Sequence, residues 1–344
     1  MTTNNINILN FQSLPSPEEI RLELQLSISA AAQVRAGRRA ICNILDGKSD
    51  RFMMIVGPCS IHDEQGAMEY AYRLSELSRK VSDKLLLVMR CYFEKPRTSV
   101  GWKGLMTDPN LDDSCDVAKG IRLARSIMLK VIDLGLPIAT EMLDPMLAQY
   151  IADCVSWTAI GARTTEAQTH RQLGSGLSMP VGFKNATDGS LQTAIDAVTS
   201  ARSCHSFIGL MEDGKVGVFR TKGNKYAHIV LRGGNNHTNY GSEHIAFLKI
   251  ILEKANLPQN VIVDCSHANS CKNYLLQKKP LMEVIQQIKN GENIIKGVML
   301  ESNLLPGNQK VIPNVKPQSG LSITDGCIGW DETVELIQQT YHSL

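Results

Sequence analysis

The stretches MMIVGPC at 53–59, VIVDCSH at 261–267 and GVMLE at 297–301 share one pattern, a short apolar run that leads to an ionisable residue. Five further runs have the same form, and they lead to Arg90, Glu141, Arg163, Lys184 and Arg232. Continuous apolar runs are typical of strands buried on both faces, as in a parallel sheet. Most intervals between the runs are long enough for a helix. Eight strands that alternate with helices predict an α/β fold, a (β/α)8 TIM barrel.

The residues at the ends of these runs indicate where the function lies. In a (β/α)8 barrel the C-terminal ends of the strands converge on one face, and active sites are found there. The runs of this chain lead to Arg, Lys, Glu, His and Cys side chains. A ring of these residue types predicts a pocket for anionic substrates and a metal ion.

The first part of the chain precedes the barrel pattern. We expect residues 1–45 to form an N-terminal extension with an oligomeric or regulatory role, and residues 46–344 to form the catalytic barrel. A weak helix is predicted to begin at Pro17 and to continue to about Ala32, and a second helix to continue from there to Leu45.

Two segments are longer than a minimal barrel requires. The sequence FIGLMEDGKVGVFRTK at 207–222 predicts an inserted β-hairpin that turns at Asp213-Gly214. Residues 92–116 form a long loop after the second strand, rich in Lys, Arg, Trp, Gly and Pro. Loops of this length inside compact domains are usually functional, so we expect this loop to contribute to the site.

Composition argues against several classes of protein. The 344 residues carry a net charge of only +2, which does not favour binding to nucleic acid or to a membrane surface. No apolar run approaches the roughly 20 residues of a membrane span, and the start MTTNNINILNF lacks the features of a signal peptide. The nine cysteines form no CxxC pair, which is typical of reduced cytosolic thiols. We therefore expect a cytoplasmic protein.

Four residues are candidate metal ligands: Cys59, His267, Glu301 and Asp325. Three of them follow the first, seventh and eighth strands, which are neighbours once a barrel closes, and Asp325 lies in the loop after the eighth. One thiolate, one imidazole and two carboxylates suit one divalent ion such as Mn, Fe, Co or Zn. Each residue alone is more often an ordinary buried side chain. Their shared position at one end of the barrel favours the metal.

Cations from four strand ends predict an anion pocket. Arg90, Arg163, Lys184 and Arg232 would repel one another at low dielectric unless anions lie among them. Glu141 can neutralise part of this charge, and a phosphate or carboxylate substrate the rest. Arg offers paired donors to such groups and Lys a compact charge.

The loop KPRT at 95–98 adds Lys95, Arg97 and the hydroxyl of Thr98 to these cations. Two cationic clusters predict either two anionic substrates or one substrate with two anionic ends. The alternative for Arg97 is a surface ion pair, because exposed arginines are common.

Six motifs together resemble one family, the type I 3-deoxy-D-arabino-heptulosonate 7-phosphate (DAHP) synthases of the shikimate pathway. The resemblance covers roughly residues 35 to 335, and both the N-terminal extension and the hairpin match it. Ala186 and Cys115 depart from the family pattern, at positions where Gly and an aromatic residue are usual. The motifs are GPCSIHD at 57–63, RCYFEKPRTSVGWKG at 90–104, AIGARTTEAQTHRQLGSGLSMPVGFKN at 159–185, LRGG at 231–234, DCSHANS at 264–270 and SITDGCIGWD at 322–331.

The resemblance implies condensation of phosphoenolpyruvate with erythrose 4-phosphate and release of phosphate. It implies the same four metal ligands, and it assigns Arg97 and Thr98 to the erythrose 4-phosphate site. Glu141 or Lys184 could move the protons of the attacking water, and Lys95 or His267 those of the new hydroxyl. The implied phosphoenolpyruvate contacts are Arg90, Lys95, Gly161, Ala162, Arg163, Lys184 and Arg232.

The family is commonly inhibited by an aromatic amino acid that binds near the hairpin. The start NNINI at 4–8, the stretch EMLDP at 141–145 and Pro145 within it favour tyrosine as the effector. Ordinary packing is the alternative for the four apolar residues of the implied site. Family members are dimers or tetramers, so we expect a homodimer or homotetramer. The implied effector residues are Gln149, Leu173, Leu177, Ser178, Phe207 and Phe219.

Two other functions remain open. A synthase that uses arabinose 5-phosphate is the nearest enzyme alternative, and the KPRT loop and the hairpin argue against it. A catalytically inactive paralogue that senses an aromatic amino acid is the alternative without enzyme activity. Such a protein would be expected to have lost ligands, and none of the four is missing.

Overall fold

Strands and helices alternate along the residues that the structure describes, 3–235, 237–312 and 315–344. In this computed structural model the strands are β1 (Phe52–Gly57), β2 (Leu85–Arg90), β3 (Ile138–Glu141), β4 (Trp157–Ile160), β5 (Val181–Lys184), β6 (Ser206–Leu210), β7 (Val216–Arg220), β8 (Ala227–Leu231), β9 (Val261–Asp264) and β10 (Ile295–Glu301). The α-helices are α1 (Pro17–Glu23), α2 (Ile28–Leu45), α3 (Glu64–Val81), α4 (Val117–Asp133), α5 (Ala148–Ile151), α6 (Gln168–Gly176), α7 (Leu191–Arg202), α8 (Ser242–Lys254), α9 (Lys278–Lys289) and α10 (Trp330–Ser343). Among the described residues, no helix is long and apolar enough to span a membrane.

Eight of the strands form a closed parallel barrel, which confirms the predicted (β/α)8 architecture. They pair in chain order from β1 to β5, then from β5 to β8 and on to β10, and the barrel closes between β10 and β1. In the closing pair Gly57 lies opposite Glu301. The ends of the first and last strands are therefore side by side, as the prediction of a shared metal site requires.

The predicted hairpin lies outside the barrel. Strands β6 and β7 pair only with each other and are antiparallel, and Phe207 lies opposite Phe219. Gly214 has a positive φ of 83° in the turn, a conformation that favours glycine. The rings of Phe207 and Phe219 stack with centroids 5.6 Å apart. The turn at Asp213-Gly214 is thus confirmed.

Side chains along the barrel strands alternate between two apolar layers. On β1, Met53 and Ile55 belong to the layer inside the barrel, whereas Met54 and Val56 belong to the layer between strands and helices. All four are fully buried. This period of two follows from strand geometry, and continuous burial explains why the runs are apolar throughout.

The expected helix from Pro17 to Ala32 is wrong, because the chain breaks it into two helices. Helix α1 ends at Glu23, and α2 begins at Ile28. The hydroxyl of Ser27 accepts a hydrogen bond from the backbone N–H of Ala30 at 3.1 Å, and this N-cap starts α2. Serine is a preferred N-cap residue, so Ser27 is a signal in the sequence for the start of α2.

A neutral histidine is built into the floor of the barrel. The Trp157 indole Nε1 donates to Nε2 of His228 at 3.1 Å, so Nδ1 carries the proton and faces the Tyr226 carbonyl at 2.8 Å. Only 2% of His228 is exposed. This burial lowers the pKa of His228 to about 4.

We predict that His228 makes the fold acid-sensitive. Its imidazole stays neutral in the folded chain down to about pH 4, whereas the unfolded chain takes up a proton below about pH 6.5. The free energy of unfolding should therefore fall by about 2–3 kcal/mol from this group as the pH drops through that window. In His228→Gln, whose amide oxygen can accept from Trp157, urea unfolding at pH 7 and 4.5 should show this part of the fall removed. The same slope in wild type and variant would contradict the prediction, and His342→Gln at an exposed position is the control.

Candidate active site

The inner layer of the barrel changes from apolar to charged at the C-terminal ends of the strands. Leu86 and Val88 of β2 face the interior, and Arg90 follows two residues later. The same step of two leads from Val230 to Arg232 and from Met299 to Glu301. It also leads to Glu141, Gly161, Lys184 and Asp264. The strand period therefore places one layer of mainly charged groups directly above the core.

All of these residues at the strand ends except Asp264 line a cavity of about 250 Å³. Twelve of the fourteen predicted catalytic, substrate and metal residues contribute to its wall, and Thr98 and Cys59 do not. Cys59 is fully buried behind the wall, and Thr98 is exposed. The twelve are Arg90, Lys95, Arg97, Glu141, Gly161, Ala162, Arg163, Lys184, Arg232, His267, Glu301 and Asp325.

Three of the four predicted metal ligands gather at one side of this cavity. The Cys59 thiol, one Glu301 carboxylate oxygen and one Asp325 carboxylate oxygen all lie within 4.8 Å of one another. The Lys95 ammonium lies 2.9 Å from the Cys59 Sγ and 3.8 Å from the Asp325 Oδ2. A cationic group thus already lies beside these donors. One soft and two hard anionic donors at these separations fit a borderline divalent ion.

The fourth predicted ligand, His267, lines the same cavity but lies outside this group of three. Its Nδ1 is 2.9 Å from the Oδ2 of Asp264, although the ring is not oriented for a hydrogen bond at that distance. The backbone of His267 has a positive φ of 56°, a costly conformation for a residue with a side chain. Among the described residues, only Asp264 has a carboxylate at ion-pair distance from this imidazole.

Burial and charge set the protonation of the ligand group. Burial, reinforced by the negative charge of Glu301, raises the pKa of the Cys59 thiol to about 12. The thiol accordingly donates to Asp325 Oδ2 across 3.4 Å. Burial alone would raise the pKa of Glu301, but His267 and Arg90 hold it below its ordinary value. A divalent ion would have to replace the Cys59 proton, as is usual for thiolate ligands.

Four cations of the cavity divide into two kinds: Arg90 and Lys184 are buried, whereas Arg232 is half-buried and Arg163 is exposed. Arg90 donates to Glu301 Oε1 at 3.1 Å, and Lys184 donates to Asp264 Oδ2 at 2.9 Å, so each has a permanent counter-ion. Within the described residues, Arg163 and Arg232 have no carboxylate at ion-pair distance. Burial, together with the positive charge of Arg163, lowers the pKa of Arg232. Arg163 and Arg232 therefore leave a positive charge that a bound anion would neutralise.

Besides Nδ1 of His267, two buried polar atoms of this cavity have no hydrogen-bond partner within the described residues: Nη1 of Arg90 and Oε1 of Glu141. Leaving such atoms buried and unpaired costs about 1–3 kcal/mol each. Gly161 lies beside the same carboxylate, and a Cβ atom there would come within 2.3 Å of Glu141 Oε1. The observed position of the Glu141 side chain therefore requires a glycine at position 161. Arg90 Nη1 and Glu141 Oε1 can each form a hydrogen bond with a bound ligand.

A second cavity of about 920 Å³ lies between α6 and the hairpin. The stacked rings of Phe207 and Phe219 form part of its wall. Ser175, Arg220 and Tyr226 are also in the wall, and the sequence interpretation did not name them. The structure brings together all six implied effector residues here: Gln149, Leu173, Leu177, Ser178, Phe207 and Phe219.

Comparison with known proteins agrees with this geometry. A family model described as the DAHP synthetase I family matches residues 23–338. The chain belongs to the DAHP synthetase I family. It is 47% identical over 342 residues to the Tyr-sensitive phospho-2-dehydro-3-deoxyheptonate aldolase of Escherichia coli (strain K12), covering 99% of this chain and 96% of that protein. The Phe-sensitive aldolase of the same organism is also 47% identical, over 336 residues that cover 98% and 96%. Overall identity therefore does not distinguish the two effectors.

A solved structure of the same kind of aldolase, from Francisella tularensis SCHU S4, superposes on this member of the DAHP synthetase I family with a TM-score of 0.95. The two chains are 44% identical, and the match covers 98% of each. Of the two departures noted in the sequence, Cys115 has a positive φ of 52°, whereas Ala186 is not among the residues with positive φ. Ala186 thus replaces glycine without strain.

Sequence interpretation missed Asp264, which lies behind the cavity wall, and several residues of the wall itself. Asp264 has the inward register of the other charged residues, so its position could have been deduced from the period of β9. It was overlooked because the apolar run was followed to His267. Ser266, Lys272 and Tyr274 also line the cavity, but no periodic pattern marks them.

We predict that Cys59→Ala loses most of its divalent metal binding and, with it, turnover. The variant removes one of three clustered donors, which should weaken binding at least about tenfold. Metal content after dialysis, measured by mass spectrometry, and turnover in the same samples would test this. Cys91→Ala is the matched control, because Cys91 is an equally buried thiol outside the ligand group. Wild-type metal content in Cys59→Ala would contradict the assignment.

Proposed function

We propose that this chain condenses phosphoenolpyruvate with erythrose 4-phosphate to give DAHP and phosphate, the first step of the shikimate pathway. The observation that supports this most directly is that a candidate metal site and a group of cationic side chains share one cavity. A thiol and two carboxylates suited to a divalent ion lie at a cavity that is also lined by Arg163 and Arg232, which have no carboxylate at ion-pair distance within the described residues. This combination suits a reaction between an aldehyde and a doubly anionic enol phosphate.

Phosphoenolpyruvate is the ligand that fits the cationic wall. Arg163 and Arg232 have no counter-ion within the described residues, so a phosphate or carboxylate there would be strongly favoured. Lys184 and the unpaired Nη1 of Arg90 add donors from neighbouring strands. Gly161 and Ala162 line the same cavity, and the absence of a side chain at Gly161 keeps the space beside Glu141 Oε1 free. These groups position the enol carbon and neutralise its anions.

Erythrose 4-phosphate would enter from the KPRT loop. Arg97 is exposed at the rim, and its Nε donates to the Trp102 carbonyl at 2.8 Å, which leaves the two terminal nitrogens for a phosphate. Thr98 is exposed next to it and lies outside the cavity wall. The phosphate end therefore lies at the mouth, and the aldehyde end points towards the ligand group.

Cys59, Glu301 and Asp325 would hold the metal, with His267 as the fourth ligand. When bound, a divalent ion there supplies a Lewis acid for a carbonyl oxygen. The donor set suits Mn, Fe, Co or Zn.

Contacts within the cavity narrow the choice of proton-transfer groups. In the reaction, C3 of phosphoenolpyruvate attacks the aldehyde carbon, water adds at C2, and phosphate leaves with cleavage of its C–O bond. Lys184 is already paired with Asp264, whereas Oε1 of Glu141 has no hydrogen-bond partner among the described residues, so Glu141 is the better base for the water. Burial alone would lower the pKa of Lys95, but the Cys59 sulfur and the charge of Glu301 hold it above its ordinary value. Lys95 is thus an ammonium that can donate a proton to the former aldehyde oxygen, which becomes the new hydroxyl.

The second cavity is the proposed site of feedback inhibition by an aromatic amino acid. Stacked Phe207 and Phe219 offer an apolar wall for a ring, and Gln149 and Ser178 offer polar atoms. We favour tyrosine, on the basis of the start NNINI and of Pro145.

An oligomer is part of this proposal. The outer face of the hairpin carries Ile208, Val216 and Val218, each at least 64% exposed, and the N-terminal segment exposes Leu9 and Phe11. Exposed apolar groups of this kind are typical of protein interfaces. A homodimer or homotetramer in which the extension covers a neighbouring subunit would bury them.

Two alternatives make different demands on the site. An inactive sensor of aromatic amino acids would need only the second cavity, yet the ligand group and the unpaired cations are intact. A synthase for arabinose 5-phosphate would share the first substrate and differ at the aldose, where the KPRT loop contributes.

We predict that phosphate release will require phosphoenolpyruvate, erythrose 4-phosphate and a divalent ion together. Arabinose 5-phosphate in place of erythrose 4-phosphate should give little or no phosphate, and a chelator should abolish turnover until metal is restored. A continuous phosphate assay with each combination would test this. Turnover that is unaffected by the chelator, or a preference for arabinose 5-phosphate, would overturn the proposal.

We predict that Phe219→Ala weakens inhibition by tyrosine about tenfold or more, since it removes one aromatic wall of the second cavity. Turnover without effector should stay near wild type. Val218→Ala is the matched control, because the adjacent residue points to the opposite face of the hairpin and is 69% exposed. Inhibition curves with tyrosine, phenylalanine and tryptophan would also identify the effector. Unchanged inhibition in Phe219→Ala would place the effector elsewhere.

A further inference from the structure

We propose that Asp264 is a positioning residue that holds Lys184 and His267 at the same time and so links anion binding to metal binding. The inference rests on the proposed function, because it concerns the phosphoenolpyruvate wall and the fourth metal ligand of that site. Asp264 itself neither lines the cavity nor belongs to the ligand group.

Both carboxylate oxygens of Asp264 are occupied. Oδ2 accepts from the Lys184 ammonium at 2.9 Å and lies 2.9 Å from Nδ1 of His267. Oδ1 accepts the backbone N–H of Ser266 at 3.0 Å, and the Asp264 carbonyl accepts from the Asn269 amide at 3.0 Å. The side chain is therefore fixed on both sides and cannot turn without breaking a contact.

Burial makes this arrangement sensitive to the charge. Asp264 is 0% exposed and the side chain of Lys184 is 4% exposed. Breaking a buried ion pair by removing one partner leaves the other charge uncompensated, which is far more costly than losing a surface pair. A neutral residue at position 264 would leave the Lys184 ammonium beside Arg163 and Arg232 without its counter-ion.

The contact with His267 has a directional consequence. An imidazole whose Nδ1 faces a carboxylate presents Nε2 on its opposite side. Histidine ligands of metals are commonly oriented by such a second partner, and its loss typically costs about 10- to 100-fold in metal affinity. Because Lys184 and His267 share one oxygen of Asp264, a displacement of either group changes the environment of the other.

An asparagine at position 264 has the right shape but the wrong pattern of donors. With its NH2 at the place of Oδ2 it would meet the Lys184 ammonium, which can only donate. With its NH2 at the place of Oδ1 it would meet the N–H of Ser266. Neither orientation satisfies all three contacts.

The test compares Asp264→Asn with Asp153→Asn. Asp153 also pairs with a buried cation, Arg125 at 2.7 Å, but lies outside the catalytic cavity, so it controls for general loss of stability. Metal-free protein would be titrated with Mn²⁺ or Co²⁺ against a chromogenic chelator, and phosphoenolpyruvate binding would be measured calorimetrically without metal. Asp264→Asn should weaken Mn²⁺ binding about 10- to 100-fold and phosphoenolpyruvate binding about tenfold. Asp153→Asn should change neither, although both variants have a lower Tm.

A double variant separates the two arms. On a Lys184→Met background, Asp264→Asn should cause no further loss of phosphoenolpyruvate affinity but should still weaken Mn²⁺ binding. If Asp264→Asn does not fold, Asp264→Glu keeps the charge, moves it by one methylene, and should weaken both. Wild-type affinities for both ligands in the variants would overturn the inference. A wild-type protein that binds no metal and releases no phosphate would instead show that the proposed function has failed.

Discussion

Charge compensation among buried side chains decides what the top of this barrel can bind. The strand period places charged groups directly above an apolar core, where an uncompensated ion is costly. Arg90 and Lys184 each have a carboxylate within 3.1 Å, so their charges are settled inside the protein. Arg163 and Arg232 have none among the described residues, and Nη1 of Arg90 remains unpaired. The cavity therefore favours an anion near Arg163 and Arg232, whereas the group of Cys59, Glu301 and Asp325 favours a divalent cation.

The charge of the ligand group also explains the location of Lys95. Its ammonium lies between the thiol and the Asp325 carboxylate, at the edge of a group that otherwise holds only anionic donors. An amine in that place balances the ligand group when no divalent ion is bound. Lys95 also lines the cavity, so the same amine can form a hydrogen bond with a substrate oxygen.

Much of this architecture could be predicted because each barrel strand carries its own signal. A run buried on both faces is apolar throughout, and the first ionisable residue beyond it marks the top of the barrel. That rule located Arg90, Glu141, Lys184 and Glu301 by number, and the Asp213-Gly214 turn located the hairpin. Helix boundaries in the extension were less well predicted, because the N-cap of Ser27 was not weighed against the helix propensity around it.

Other features depend on distances that no single sequence contains. The pairing of Asp264 with Lys184 joins strands 80 positions apart, and Nδ1 of His267 lies 2.9 Å from the same carboxylate. Residues such as Lys272 and Tyr274 reach the cavity from an irregular loop, where neither a period of two nor one of 3.6 applies. The alternation of a strand can thus be extrapolated, whereas the path of a loop cannot.

The separate pairing of the hairpin has a consequence for how such proteins diversify. Strands β6 and β7 pair only with each other among the described residues, so substitutions there leave the barrel ladder intact. With the effector site proposed at this hairpin, natural selection could alter the response to an end product while the chemistry is preserved. Two relatives named for different amino acids are equally similar to this chain. Duplicated genes could acquire distinct controls through a few changes in a small two-stranded insert.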